Sequence, residues 1–298
     1  MNAYVERIHA LVARVSGRRI TLPKRRGASV APTASLLPPA EPVTVAEGIR
    51  VPTQAFSEFL INREMGDWAE ELVASEVRYA VPELTCCRYG RSENLVAGEP
   101  GFAEFYTSYI RELRTLGKRP DILVFRGNPP DEALFAAADL DVAMTAARRA
   151  CAAFEVRSSQ QSLQEGRDAA TLSFTPKVED IHNVVRWIEH HGVPHFYVQV
   201  LFGGVYAISF ERILQILAEG EPKEDFRVES AEKSQFKPTY YVPLTSGVRL
   251  SVTPEQFAMP ALSAFAKRLP KGRMLFGVKF GGGRSPFEVA TLRRLLEV

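Results

Sequence analysis

The stretch from Thr175 to Leu217 constrains the fold most tightly. Thr175 and Pro176 form a helix-start signal, with threonine as N-cap and proline at the first helical position. Val178, Ile181, Val184, Val185 and Ile188 then recur at helical spacing and give that helix a buried stripe, and Gly192 marks its end. His195 to Phe202 (HFYVQVLF) reads as a strand, Gly203 and Gly204 as a turn, Val205 to Ile208 as a second strand, and Ile213, Leu214, Ile216 and Leu217 as a helix. With the strand predicted at 152–157 ahead of it, the order is strand, helix, strand, strand, helix, which specifies an α/β sheet with helices packed on it.

The rest of the chain extends this core at both ends. Val5, Ile8, Leu11, Val12 and Val15 predict an amphipathic helix before Gly17, read as a docking arm. Pro32, Pro38, Pro39, Pro42 and Pro52 make residues 27–52 an extended linker. Phe56, Phe59, Leu60, Trp68, Leu72, Val73 and Val77 mark one or two helices between residues 53 and 79, with Gly66 as the point where they would part. A helix near 131–150 leads into one of two predicted core strands, 152–157 (AAFEVR), the other being 119–125 (RPDILVF). Beyond Pro222 the pattern changes to short β-like runs at 240–244 and 248–252, a helix near 254–268 and a last strand at 274–280. The chain therefore divides into an N-terminal basic helix and linker (1–52), a core (53–222) and a C-terminal α+β lobe (223–298). No internal repeat is detected.

Composition narrows the function classes. At 298 residues, 46% hydrophobic and 24% charged, the chain can bury a sizeable core. Its apolar runs fall short of the roughly 20 residues that span a bilayer, so no membrane partner is expected. No secretory signal is recognisable, and Cys86, Cys87 and Cys151 offer neither a disulfide framework nor zinc-ligand spacing, so a cytoplasmic protein with reduced cysteines is expected. The net charge of +2 is unevenly placed. Residues 1–26 carry seven bases against Glu6, and 260–298 carry eight against Glu288 and Glu297, so both ends are candidates for phosphate contact or else solvated faces balancing an acidic middle.

Metal-dependent phosphodiester hydrolysis needs acidic oxygen ligands that converge on the scissile phosphate, plus a cation. Asp121 follows Pro120 at the start of one strand, and Glu155 and Arg157 share a face of the other by alternation. With a glutamate-bearing helix upstream, this resembles the layout of the PD-(D/E)xK nuclease fold, a mixed central sheet flanked by helices. One residue departs from that pattern. Arg157 stands where the pattern has lysine, and a guanidinium stabilises negative charge but cannot act as a base. Lys177 is the alternative cation, because a lysine in the first turn of a helix opposes the macrodipole at a cost of about 0.3–1 kcal/mol, which a function would explain. His182, His190, His191 and His195 have no metal-site spacing and are read as structural. Gly281 to Gly283 is read as a flexible turn rather than a phosphate loop.

Three segments, FEVRSS at 154–159, LSFTPKVEDIHNVVRWI at 172–188 and VPHFYVQVLFGGVYAISFERIL at 193–214, resemble AccI-type restriction endonucleases. The resemblance covers the chain from about residue 55, most firmly to residue 220. It implies a bacterial, Mg2+-dependent homodimer that cuts double-stranded DNA at a short palindrome and leaves 5′-phosphate and 3′-hydroxyl ends, alongside a companion DNA methyltransferase. It also implies Asp121 and Glu155 as metal ligands and Glu70 as the upstream glutamate, with Glu71 or Glu76 as alternatives. Base reading needs Arg, Lys, Asn or Gln at the groove edges, for which Gln235, Lys237, Arg249, Lys271, Arg273 and Lys279 are the candidates. Two other functions compete: a structure-selective repair nuclease, and an inactive DNA-binding module on the same fold.

Overall fold

The computed structural model describes residues 2–21, 33–40, 48–90, 95–131, 133–136, 140–162, 171–229 and 238–298. In chain order its elements are α1 (Ala3–Gly17), β1 (Arg19–Thr21), β2 (Thr33–Ser35), α2 (Ser57–Ala80), β3 (Leu84–Arg88), α3 (Phe102–Thr115), β4 (Ile122–Arg126), α4 (Ala133–Ala136), α5 (Leu140–Ala147) and β5 (Ala152–Ser162). There follow β6 (Ser173–Phe174), α6 (Val178–His191), β7 (His195–Phe202), β8 (Gly204–Ser209), α7 (Phe210–Glu219), β9 (Arg227–Glu229), β10 (Thr239–Pro243), β11 (Val248–Arg249), β12 (Ala261–Arg268), β13 (Met274–Gly281) and α8 (Val289–Leu296).

The centre is a six-stranded mixed sheet in the order β11-β8-β7-β5-β4-β3. Only β5 and β7 run parallel, joined across α6, and the other neighbours are antiparallel. Helices cover both faces. Leu123, Phe125, Ala153, Tyr197 and Ile208 pack under α1, α6 and α7, while Ile122, Val124, Phe154, Val198 and Ala207 pack under α2 and α8. Burial on both faces is why the segment 195–202 is apolar at nearly every position rather than at alternate ones. The protein is thus mixed α/β around one central mixed sheet, and among the described residues no helix is long and apolar enough to cross a membrane.

One open expectation is decided and three others change. Helix α2 runs unbroken through Gly66, tolerating a glycine that costs about 1 kcal/mol because Leu60, Met65, Trp68, Ala69, Leu72, Val73 and Val77 bury one continuous face. Helix α6 starts after Lys177 rather than at Pro176. The reason is pairing: Val178 N donates to Pro238 O and Tyr240 N to Pro176 O, so residues 176–177 stay extended beside β10. The helix expected near 131–150 is described as two, α4 and α5, with 137–139 outside the described residues. The helix expected near 254–268 is absent. A single 3-10 turn at Pro254–Gln256 is followed by β12, which pairs along its whole length with β13. Pro260 breaks a helix there, since a proline in a helix interior removes a hydrogen bond and clashes with the preceding turn at about 3 kcal/mol.

The N-terminal helix is no free arm. Tyr4, Val5, Ile8 and Val15 are buried in the main core, and Arg7 pairs with Glu211 at 2.7 Å and Arg14 with Glu219 at 2.8 Å. Arg18 Nη1 donates to Leu217 O and Gly220 O. Three of the basic residues at this end are therefore spent on α7 and the turn after it.

Candidate active site

Asp121 sits just ahead of β4, and its position is fixed by the backbone on three sides. Its amide donates to Phe154 O at 2.9 Å, and its carbonyl accepts from Tyr89 N at 2.9 Å and Gly90 N at 3.1 Å. Its Oδ2 accepts from Val156 N at 2.7 Å. Ile122 pairs with Phe154, and continuing that register by one residue sets Asp121 opposite Glu155. Gly90 makes room for this, because a Cβ there would lie 3.2 Å from Asp121 Cα and 3.3 Å from its Oδ1.

Glu155 and Arg157 lie on one face of β5, with Arg157 Nη2 2.6 Å from Glu155 Oε1. Two residues that sequence reasoning did not select complete the cluster. Lys118 Nζ donates to the same Glu155 Oε1 at 2.6 Å and to Asp180 Oδ2 at 2.8 Å, and Arg157 Nη2 reaches Asp180 Oδ2 at 3.4 Å. Lys118 was there to be found in the segment Gly117-Lys118-Arg119-Pro120-Asp121, directly beside the candidate metal acid. Asp180 carried no such signal, because an acid in the first turn of a helix is accounted for by the macrodipole alone.

The electrostatics are those of acids crowded out of water. Burial, and then the charge of Glu155, push the Asp121 carboxyl up to about 7. Burial and the proximity of Asp121 push Glu70, on α2, up to about 8. Burial also opposes the charge on Glu155, but Lys118 and Arg157 outweigh it and hold the carboxyl down at about 2. Burial and Arg157 oppose the Lys118 charge in turn, and Glu155, Asp180 and Asp121 more than restore it, so its pKa rises.

The three upstream glutamates separate clearly. Glu70 faces the acids, with Arg88 Nε 3.8 Å away, and Glu71 is exposed. Glu76 is buried and ion-paired to Arg284 at 2.7 Å. Lys177 is the residue before α6, and its backbone bridges Thr239. Three of the histidines are tied to backbone carbonyls: His191 Nδ1 donates to Trp187 O and its ring stacks on Trp187, while His182 and His190 reach the carbonyls of Pro38 and Thr115.

Among the described residues, no group of three or more His, Cys, Asp and Glu side chains converges as a metal cage. Mg2+ does not require one, since one or two carboxylates and several waters are its usual protein ligation. Asp121 and Glu155 fit that requirement. Glu155 Oε2 is buried with no hydrogen-bond partner among the described residues, and the two crowded carboxylates repel each other in a way that a divalent cation would relieve.

Of the base-reading candidates, Gln235 and Lys237 lie outside the described residues. Arg249, on the edge strand β11, turns its Nε to Ser251 Oγ at 3.1 Å. Lys271 and Arg273 occupy the exposed turn of the β12–β13 ribbon, with Arg273 also donating to Gln54 Oε1, and Lys279 is exposed on β13 beside the Phe265 ring.

A family model described as AccI restriction endonuclease matches residues 39–171 and 153–298 of the chain. No curated protein and no solved structure matches it.

Proposed function

Since the chain belongs to the AccI restriction endonuclease family, we propose that it is a type II enzyme that hydrolyses both strands of DNA at a short palindrome, with Asp121 and Glu155 as ligands of Mg2+. The observation that carries the reading is the pair of acids facing each other at one end of adjacent central strands, one of them with a buried oxygen that no group among the described residues satisfies. This is the arrangement a PD-(D/E)xK core requires.

When bound, Mg2+ supplies charge neutralisation at the scissile phosphate and a more acidic water. The chain's own residues do the rest. The Asp121 carboxylate is aimed by the Val156 amide, and the Arg157 guanidinium offers a fixed positive charge for phosphate oxygens. Glu70 adds a third acid behind the pair. In-line attack by water then forms the bond to phosphorus as the bond to the 3′ oxygen breaks, leaving a 5′-phosphate and a 3′-hydroxyl.

DNA contact is supported by the ribbon. Residues 261–281 carry Lys267, Arg268, Lys271, Arg273 and Lys279 and no acid. Two antiparallel strands also fit the width of the major groove. A homodimer follows from the need to cut two antiparallel strands at a two-fold site. The exposed apolar side chains Leu262, Met274 and Phe276 on the same ribbon support such an interface.

Incubating the protein with plasmid and phage DNA, in Mg2+ and in EDTA, tests the reading. Discrete fragments in Mg2+ that vanish in EDTA and in Asp121→Ala are the expected result. A smear would favour a structure-selective nuclease, and intact DNA throughout would leave a binding module. Sedimentation with and without DNA checks the dimer.

A further inference from the structure

We propose that Lys118 is the amine that acts on the scissile phosphate and that Asp180 is the residue that positions it, an inference that rests on the nuclease reading above. Lys118 lies three residues ahead of Asp121, and its side chain is only 16% exposed. Its Nζ is held between Glu155 Oε1 at 2.6 Å and Asp180 Oδ2 at 2.8 Å. With Tyr109, Glu112, Arg119 and Asp121 it lines a small cavity of about 100 Å3. That is room for roughly three waters at about 30 Å3 each, beside both the ammonium and the metal-binding acid.

The backbone is built to put the ammonium there. Gly117 has φ of +89°, and a Cβ on it would lie 2.3 Å from Asn183 O and 2.4 Å from Trp187 N. Only glycine lets the loop lie on α6 this closely, and Lys118 N then donates to Asn183 O at 2.9 Å. Asp180 is one helical turn before Asn183, which brings its carboxylate under Nζ. Lys177, by contrast, is committed through its backbone to Thr239 in the sheet of β6, β10 and β9.

In the reaction the ammonium keeps its proton and donates a hydrogen bond. On DNA binding it exchanges Glu155 Oε1 for a non-bridging phosphate oxygen, which frees that carboxylate for the metal, while Asp180 retains its hold. The water oxygen bonds to phosphorus and the phosphorus–O3′ bond breaks. The water gives one proton to solvent, and the leaving oxygen takes one from solvent.

Two measurements test this together. In single-turnover cleavage, Lys118→Ala is expected to lose about 10²- to 10³-fold in rate, the cost of removing one preorganised donor. Ethylamine in solution should recover at least about tenfold of that loss, as restoring the missing group does when position is all that is lacking. Asp180→Asn should lower kcat about tenfold with KM unchanged, and Lys177→Ala should stay within about threefold of wild type. Calorimetric titration with Mn2+ alone should move the other way. Lys118→Ala should bind it about tenfold tighter, because a positive charge beside the carboxylate has been removed. A purely structural lysine would not tighten metal binding and slow cleavage at once. Wild-type cleavage by Lys118→Ala, loss of cleavage in Lys177→Ala instead, or unchanged Mn2+ affinity in Lys118→Ala would each overturn the assignment. Failure of the nuclease reading is distinct, since the wild type itself would then leave DNA intact in Mg2+, and the Mn2+ titration would still decide whether Lys118 occupies a metal-binding oxygen.

Discussion

Glu76 and Glu155 are each 1% exposed and each ion-paired, yet the regions around them are built to opposite ends. At the junction of α2 with the segment before α8, Glu76 Oε1 accepts from Arg284 Nε at 2.7 Å and Ser285 N at 3.0 Å, and Oε2 accepts from Arg284 Nη2 at 3.3 Å. Both oxygens are satisfied. At the sheet end, Lys118 and Arg157 both crowd onto Glu155 Oε1, and Oε2 has no partner among the described residues. A buried acceptor left unmade costs roughly 1–3 kcal/mol, so a fold that keeps one beside a second acid has kept capacity for a ligand. Burial alone therefore does not separate the two glutamates; what supports the proposed metal role of Glu155 is the unsatisfied oxygen together with the facing Asp121.

The largest effect should come from the unsatisfied partner. Glu155→Gln is expected to lower cleavage per folded molecule by about 10³-fold or more, some 4 kcal/mol in the barrier, and also to lower urea stability, because Lys118 and Arg157 lose the carboxylate they pair with. If cleavage per folded molecule survived, Glu155 would be a second Glu76. The reciprocal change is smaller. Glu76→Ala should destabilise by roughly 2–3 kcal/mol, since it strands the Ser285 amide, and should leave cleavage by the folded fraction intact. A cleavage defect without a stability defect would break the contrast.

A third group carries the same logic with a neutral side chain. Burial lowers the His191 pKa from 6.5 to about 4, and its Nδ1–H donates to Trp187 O, so the folded state holds it neutral. Its folded value lies below the unfolded one. The stability it permits is therefore fully present above pH about 6.5, and it is lost as pH falls toward 4, because the unfolded chain takes up the proton first. Unfolding in urea should show about 2 kcal/mol less stability at pH 5 than at pH 7 from this residue, and His191→Gln should flatten that part of the curve.

Much of the core could be read from pattern. The helix stripe from Val178 to Ile188, the strands at 195–202 and 205–208, and the acids Asp121 and Glu155 were legible because spacing and short-range chemistry specify them. Residues 254–268 were misread because their apolar spacing suits a helix as well as a ribbon, and only the partner strand β13 decides between them. The start of α6 slipped for a similar reason: Thr175 and Pro176 are a sound local signal, overridden by pairing with β10. At the site, the cation was sought where the sequence pattern pointed, at Arg157 and Lys177. Lys118 lies between Glu155 and Asp180, 37 and 62 residues further along the chain, and no sequence window joins them.

The sequence by itself determined that this chain makes an α/β sheet and sets two acids at the ends of neighbouring strands, because periodicity and strand alternation are properties of consecutive residues. Only the tertiary structure decided that Lys118 joins Arg157 beside those acids, and which of the three candidate glutamates on α2 faces them. Those outcomes depend on distances between segments far apart in the chain, and burial and Coulomb energies are fixed by distance in space rather than by order in sequence.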